Sequence, residues 1–391
     1  MLKGLKYRLY PTNSQKELIA KHIGSSRFVY NLALETKTTA YIGSKHNFSP
    51  FDLIKQLPEL KKECEWLKEV NSQSLQQSIQ NMDIAFKKFF KGAGFPKYKS
   101  KHRGKQSFSI PQNVLVENNK LIIPKFKEGI DIVLHREIKG TIKSVTISVT
   151  PTGKYFASIL VDTNNEMSIK APITESTTIG IDLGIKDFAI TSEGEVFENS
   201  KYLRKAQGKL KYTQRKYSKH KGKRTKKKLA KLHEDVVNKR KDFLHKVSTK
   251  LIRENQTICL ETLAVKNMVK NHNLAQAISD VSWSTFVSML EYKADWYGKN
   301  ILRIGQFSPS SKTCSNCGCI NKELTLKDRE WTCPKCNSVL DRDKNAAINI
   351  KYFALKNNLS EEHRLKNHDE LPTLVGVMTH EAHPISFAVG G

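Results

Sequence analysis

Hydrophobic positions along the chain change period several times, and each change predicts an element. Residues 5–10 alternate as a short strand that Pro11 breaks, after which Asn13 or Ser14 can cap a helix running to Gly24. A second helix is predicted from about Ser26, carrying Phe28, Val29, Leu32 and Leu34. Leu75, Ile79, Met82, Phe86 and Phe90 then recur at intervals of three or four, forming one apolar helix face that ends at Gly92. From 120 to 161 the period falls to two: Val145, Ile147 and Val149 alternate with polar residues, and a turn at Thr150-Pro151-Thr152-Gly153 leads into a returning strand at 154–161. If the strand at 5–10 joins this sheet, the helical stretch is an insertion into a β-domain.

After a junction at 172–178 come two largely apolar runs, Thr178–Ile185 and Thr257–Leu263, that read as buried strands. Between them, Ile185–Thr191 and Glu195–Phe197 flank Ser192-Glu193-Gly194 and predict a hairpin. Trp283, Phe286 and Leu290, extended by Trp296 and Tyr297, predict an amphipathic helix, followed by a strand at Ile301–Ile304. A last apolar-periodic segment runs from Asn345 to Leu355; beyond about 357 the periodicity is lost, and 357–391 reads as a poorly ordered tail.

Charge changes this picture more than hydropathy does. The 391 residues include 66 Lys and Arg against 38 Asp and Glu, a net charge of +28, which implies a polyanionic partner. Residues 201–228 hold fourteen Lys or Arg and no acid, and extend into the helical pattern of Leu229, Leu232, Val236 and Leu244. A long basic helix pair offering a track for phosphates is expected there. The loop from Gly94 to Arg103 mixes Phe95 and Tyr98 with cations; it reads either as a base-stacking surface or as a basic loop with two core anchors. Gln73, Gln77 and Gln80 share a helix face and could read adenine in a major groove, or simply face water. No apolar stretch approaches the roughly 20 residues of a membrane span, and the start lacks a signal-peptide core, so a cytoplasmic protein, bound to the nucleoid when on DNA, is expected.

Seven cysteines include Cys314-x2-Cys317 and Cys333-x2-Cys336, with fifteen residues between the pairs. Two such thiolate turns complete a tetrahedron around structural Zn²⁺. Cys319 falls outside the pattern as a spare thiol, and Cys64 and Cys259 read as small core residues.

Three acidic positions stand out. Asp182 interrupts the first buried run, Glu261 closes the second, and Asp341-Arg342-Asp343 opens the last helix. An unpaired carboxylate in a buried strand costs several kcal/mol, so it needs a cationic side chain, a proton or a metal. Three together in so basic a chain point to divalent metal and phosphodiester hydrolysis.

These residues resemble those of TnpB, the nuclease of insertion sequences (OrfB-type transposase family) related to type V CRISPR effectors. The likeness runs through Tyr7-Arg8-Leu9-Tyr10-Pro11-Thr12, Arg27-Phe28-Val29-Tyr30-Asn31, Gly94-Phe95-Pro96-Lys97-Tyr98-Lys99-Ser100, Gly180-Ile181-Asp182-Leu183-Gly184, Leu260-Glu261-Thr262-Leu263, Pro309–Gly318 and Asp341–Ala347. It implies a multidomain α+β and α/β protein. Residues 1–10 and 93–172 would form an oligonucleotide-binding-type wedge β-barrel, and 11–92 an inserted helical recognition domain. Residues 173–308 and 341–356 would form an RNase H-like RuvC nuclease domain, with 309–340 as a zinc ribbon inserted in it.

The resemblance also implies an RNA-guided endonuclease with two Mg²⁺ ions, held by Asp182, Glu261 and, of the last pair, Asp343; the residues alone do not choose between Asp341 and Asp343. Its partners would be a guide RNA from the transposon end, one protein per guide, and double-stranded DNA cut beside a short adjacent motif. Candidate nucleic-acid contacts are Tyr7, Arg8, Tyr10, Gln73, Gln77, Gln80, Lys97, Tyr98, Lys99, Arg204, Arg215, Lys216, Arg224 and Lys227. Two rival readings predict different behaviour: an RNA-guided repressor that binds without cutting, and a transposase that joins strands without a guide.

Overall fold

The computed structural model describes residues 1–102, 104–164, 168–325 and 327–369. None of the helices in these residues is long and apolar enough to cross a membrane. The chain forms two compact units, Met1–Met167 with Ala206–Asn238, and Ser168–Lys205 with Lys239–Gly391.

In the first unit, strand β1 (Leu2–Tyr10) leads into helix α1 (Asn13–Ser44), followed by α2 (Pro50–Lys55), α3 (Leu57–Glu63) and α4 (Ser72–Phe90). Strands β2 (Gln106–Ile110), β3 (Leu115–Glu117), β4 (Lys120–Ile123), β5 (Phe126–Val133), β6 (Thr141–Val149) and β7 (Tyr155–Asp162) complete a seven-stranded sheet in the order β2-β6-β7-β1-β5-β4-β3. β1 pairs antiparallel with both β7 and β5, so the helices between β1 and β2 leave and re-enter the sheet. Its alternation buries Leu5, Tyr7 and Leu9 in one core with Ile147 and Ile159.

Two expectations fail within α1. The N-cap is Thr12, whose side chain accepts from the Gln15 N–H while the Gln15 side chain accepts from the Thr12 N–H, a capping box. The helix also does not stop at Gly24. Its first half anchors Ile19 and Ile23 in the sheet core, and its second half anchors Val29, Tyr30, Ala33 and Leu34 against Leu75, Ile79 and Met82 of α4. Packing at both ends outweighs the roughly 1 kcal/mol that a mid-helical glycine costs. The α4 stripe ends a turn early, because Phe90 is 80% exposed while Phe86 is buried.

The second unit is built on a five-stranded sheet of β8 (Thr178–Leu183), β9 (Asp187–Thr191), β10 (Val196–Glu198), β11 (Thr257–Glu261) and β12 (Asn300–Ile304), in the order β10-β9-β8-β11-β12. β9 and β10 fold back antiparallel, whereas β8, β11 and β12 run parallel. Between β10 and β11 lie α5 (Tyr202–His220) and α6 (Lys223–Glu254); between β11 and β12 lie α7 (Val265–Met268), α8 (His272–Val281) and α9 (Trp283–Tyr297). A two-stranded ribbon, β13 (Glu330–Thr332) and β14 (Val339–Asp341), precedes α10 (Arg342–Asp369).

Both faces of the parallel strands are covered, which is why those runs are almost wholly apolar. Ile179, Ile181, Ile258 and Leu260 face Leu244 and Leu251 of α6 and Phe286 and Leu290 of α9. Cys259 and Ile304 face Ile350 and Ala354 of α10. That helix runs to Asp369, so the expected tail at 357 begins as helix; the rest of 357–391, from residue 370, lies outside the described residues.

Candidate functional site

Strand alternation decides where the acids point. On β8, residues 179, 181 and 183 enter the α6/α9 core, so Gly180 and Asp182 turn to the α10 side. On β11, Cys259 packs toward α10, and Glu261, two residues on, shares its face. Parallel pairing of Leu260 with Ile181 sets Glu261 beside Asp182, and Asp343 lies in the first turn of α10. Gly180 permits this closeness: a Cβ there would stand 2.1 Å from the Ala347 carbonyl oxygen and 2.8 Å from the Lys351 nitrogen.

The electrostatics follow from the crowding. Burial, then the charges of Glu261 and Asp343, push the Asp182 carboxyl up to about 7, against a smaller opposing pull from Arg342. Burial likewise raises Glu261. Asp343 pairs with Arg329 at 2.8 Å and Arg342 at 3.2 Å. Asp341 accepts the Lys344 N–H at 2.7 Å, which makes it the cap of α10. The three carboxylates do not close into a group within 4.8 Å of one another, as the four cysteine sulfurs do.

The cysteines do form a centre. Sγ atoms of Cys314 and Cys336, and of Cys317 and Cys333, lie 3.6 Å apart. A Zn–S bond of about 2.3 Å gives a tetrahedral S···S edge of about 3.8 Å, so this donor set fits Zn²⁺. Each pair sits on a tight turn: the Gly318 N–H returns to the Cys314 carbonyl and the Asn337 N–H to that of Cys333, both at 2.9 Å, with Gly318 and Asn337 left-handed. Hydrogen bonds from the Ser338 hydroxyl and N–H lower the Cys336 thiol to about 6, favouring the thiolate. Cys319 is not among the four.

Several contributors went unnoticed in the sequence. Asn345 and Asn349, one turn apart on α10, are buried and donate to the Thr313 carbonyl at 2.7 and 2.6 Å; Asn345 also accepts the Ser315 N–H at 2.9 Å. They lock the helix carrying Asp343 to the first cysteine turn, and paired asparagines inside an apolar stripe were the available signal. Asp280 accepts from Arg240 at 2.9 Å and from the backbone N–H groups of Leu203 and Arg204, fixing the start of α5. Lys293 is buried in α9 and donates to Ser248 and Thr249 of α6 at 2.7 Å.

The candidate nucleic-acid contacts scatter. Tyr7 is a correction: it is 0% exposed, with its hydroxyl on the Arg136 carbonyl, because alternation turns it into the sheet core and leaves no face for a base. Arg8 and Tyr10 stay on the outer face, where the Arg8 guanidinium lies 5.0 Å from the Phe156 ring centre and 5.3 Å from that of Tyr10. Gln73 bonds Gln112 and Gln77 bonds Asn81, while Gln80 is exposed. Lys97 is exposed, the Tyr98 hydroxyl bonds Glu35, and the Lys99 amine stands 3.9 Å over the Tyr30 ring. Arg204, Arg215, Lys216, Arg224 and Lys227 are all exposed along α5 and α6.

Three sequence families match this chain: the OrfB_IS605 helix-turn-helix domain over residues 1–45, OrfB_IS605 (described as "Probable transposase") over 158–272, and the Cas12f1-like TNB domain over 283–350. Residues 13–44 of the first match are one unbroken helix. A Streptomyces pristinaespiralis protein described as "Putative RNA-guided DNA endonuclease" is 39% identical over 359 residues, 89% of this chain and 88% of its own. The similarly described InsQ of Escherichia coli K12 is 30% identical over 375 residues, covering 89% of this chain and 91% of its own. A solved Cas12f1, determined by cryo-EM with its guide RNA and target DNA, shares the fold at a TM-score of 0.55 and 15% identity, over 90% of this chain and 98% of that one. The chain therefore belongs to the TnpB family, the OrfB proteins of IS605-type elements.

Proposed function

We propose that the protein is an RNA-guided DNA endonuclease of an insertion sequence, cutting target DNA beside a short adjacent motif by metal-dependent phosphodiester hydrolysis. The observation that carries this reading is Asp182, a carboxyl held near 7 with Glu261 and Asp343 as its neighbouring charges. Such a set of hard oxygen donors suits Mg²⁺. Asp182, Glu261 and Asp343 would hold the two ions, which when bound supply water activation and stabilisation of the leaving oxygen. Asp341 caps the helix that presents Asp343, and Asn345 and Asn349 keep that helix in place.

The antiparallel hairpin on one side of β8 and the two parallel strands on the other support an RNase H-like, RuvC-type nuclease domain, with residues 309–340 as its structural zinc ribbon. The seven-stranded sheet reads as the wedge barrel and α1–α4 as the recognition helices inserted into it. The cations of α5 and α6 supply a phosphate track for one guide RNA and its paired DNA strand. The described relatives support the guided activity.

The test is cleavage of a plasmid target library by protein purified with its co-expressed RNA, beside samples carrying Asp182→Ala or lacking RNA. Cutting that needs both is expected, and the cut products report the adjacent motif. Stable RNA-dependent binding without cutting, or guide-independent cutting at element ends, would overturn the proposal.

A further inference from the structure

Helix chemistry does not favour glycine in the middle of α1, where it weakens the helix relative to alanine. Packing does not require it either, since a Cβ on Gly24 would meet nothing within 4 Å. What the missing side chain leaves is space. Gly24 forms part of the lining of a surface cleft of about 390 Å³ walled by Phe28, one turn on, and by Trp66 from the short turn Glu65–Glu69.

Both walls are aromatic and open to solvent: Phe28 is 36% and Trp66 44% exposed, and their rings meet edge to face at 5.1 Å between centres. Because the rings already touch, a flat ligand would lie against the indole over Gly24, not between them. Lys21 and Arg27 stand at the rim; Lys21 pairs with Glu69, and Arg27 donates to Gln106 at 3.3 Å. The Lys21–Glu69 pair is internally neutral, so Arg27 leaves the rim cationic. A flat apolar wall beside a guanidinium matches one ligand chemistry, an aromatic base carrying a phosphate.

We infer that the cleft lined by Gly24, Phe28 and Trp66 seats one unstacked nucleobase of a bound strand, with the adjoining phosphate at Arg27. This rests on the proposed function only for the identity of the strands.

Full-length Gly24→Leu, Trp66→Ala and Trp66→Phe proteins would be measured for affinity to the guide RNA, and the RNA-loaded proteins for affinity to target duplex. Leucine is a better helix former than glycine, so Gly24→Leu fills the cleft while keeping or raising the melting temperature. Gly24→Leu and Trp66→Ala should each weaken one of the two affinities by about 5- to 150-fold, the span of one lost base stack. Trp66→Phe, which keeps a ring, should restore most of it. Photocrosslinking with 4-thiouridine in the RNA, or 5-bromodeoxyuridine in the DNA, should label the Trp66 peptide in one arm and so identify the strand. Wild-type affinity for both strands in Gly24→Leu and Trp66→Ala, or no label at that peptide in either arm, would overturn the inference. A wild-type protein that binds its RNA but never cuts would refute the endonuclease and leave these binding arms readable.

Discussion

Asp182→Asn should make the metal-free protein more stable. The Asp182 carboxyl moves from an ordinary 3.8 to about 7 in the folded chain. That displacement sets a ceiling of ~4 kcal/mol by which its negative charge opposes folding above pH 7. The carboxylate keeps some access to water and its neighbours can relax, so about half of that, ~2 kcal/mol, is expected.

The sign follows from proton binding. Because the folded pKa is the higher one, the folded state holds more protons between about pH 4 and 7, and stability falls as pH rises through that window. Asparagine is nearly isosteric and uncharged, and removes the penalty. Melting in EDTA at pH 8 should place the variant about 4–8 °C above wild type in the transition of the unit holding the five-stranded sheet. The gap should shrink by pH 5. Millimolar Mg²⁺ should raise the wild type more than the variant, since the ion binds only the folded carboxylates. A variant no more stable than wild type at pH 8 in EDTA, or a gap unchanged at pH 5, would refute the electrostatic reading.

Three further outcomes are expected. Gly180→Ala places a methyl 2.1 Å from the Ala347 carbonyl oxygen; it should cost about 1–3 kcal/mol by denaturant titration and abolish cutting by displacing α10, while an unshifted midpoint would contradict the close approach. Cys333→Ser should lower zinc content, read by a colorimetric chelator, and solubility together, and full retention of zinc would show the ligand set to be wrong. Burial lowers the Lys293 amine to about 8, so the folded state releases its proton first and stability should rise between about pH 8 and 10; Lys293→Met should flatten that rise, and an identical profile in both proteins would exclude the assignment.

Much of the local structure was legible because it is written in period and spacing. The β6–β7 hairpin and the apolar runs of β8 and β11 announce themselves by alternation or continuous hydrophobicity, which backbone geometry converts directly into strands. Two Cys-x2-Cys turns specify one tetrahedral centre whatever surrounds them. The excess of cations announces a polyanion without placing it.

What the sequence could not decide were outcomes of packing between distant segments. Gly24 looked like a helix end because glycine weakens helices, yet two separate cores hold α1 straight through it. Tyr7 and Tyr10 look equivalent on one strand, and only the choice of which sheet face is buried makes one a core residue and the other a surface ring. The Arg329 pair on Asp343 needs the ribbon folded back onto α10, and the clamp of Asn345 and Asn349 needs the first cysteine turn brought against that helix. The charge state of Asp182 is likewise tertiary: its shift arises from burial and from Glu261 and Asp343, carboxylates 79 and 161 positions further along the chain. Period and spacing act over a few residues and can be read directly, whereas burial and Coulomb coupling belong to neighbours that only folding assembles.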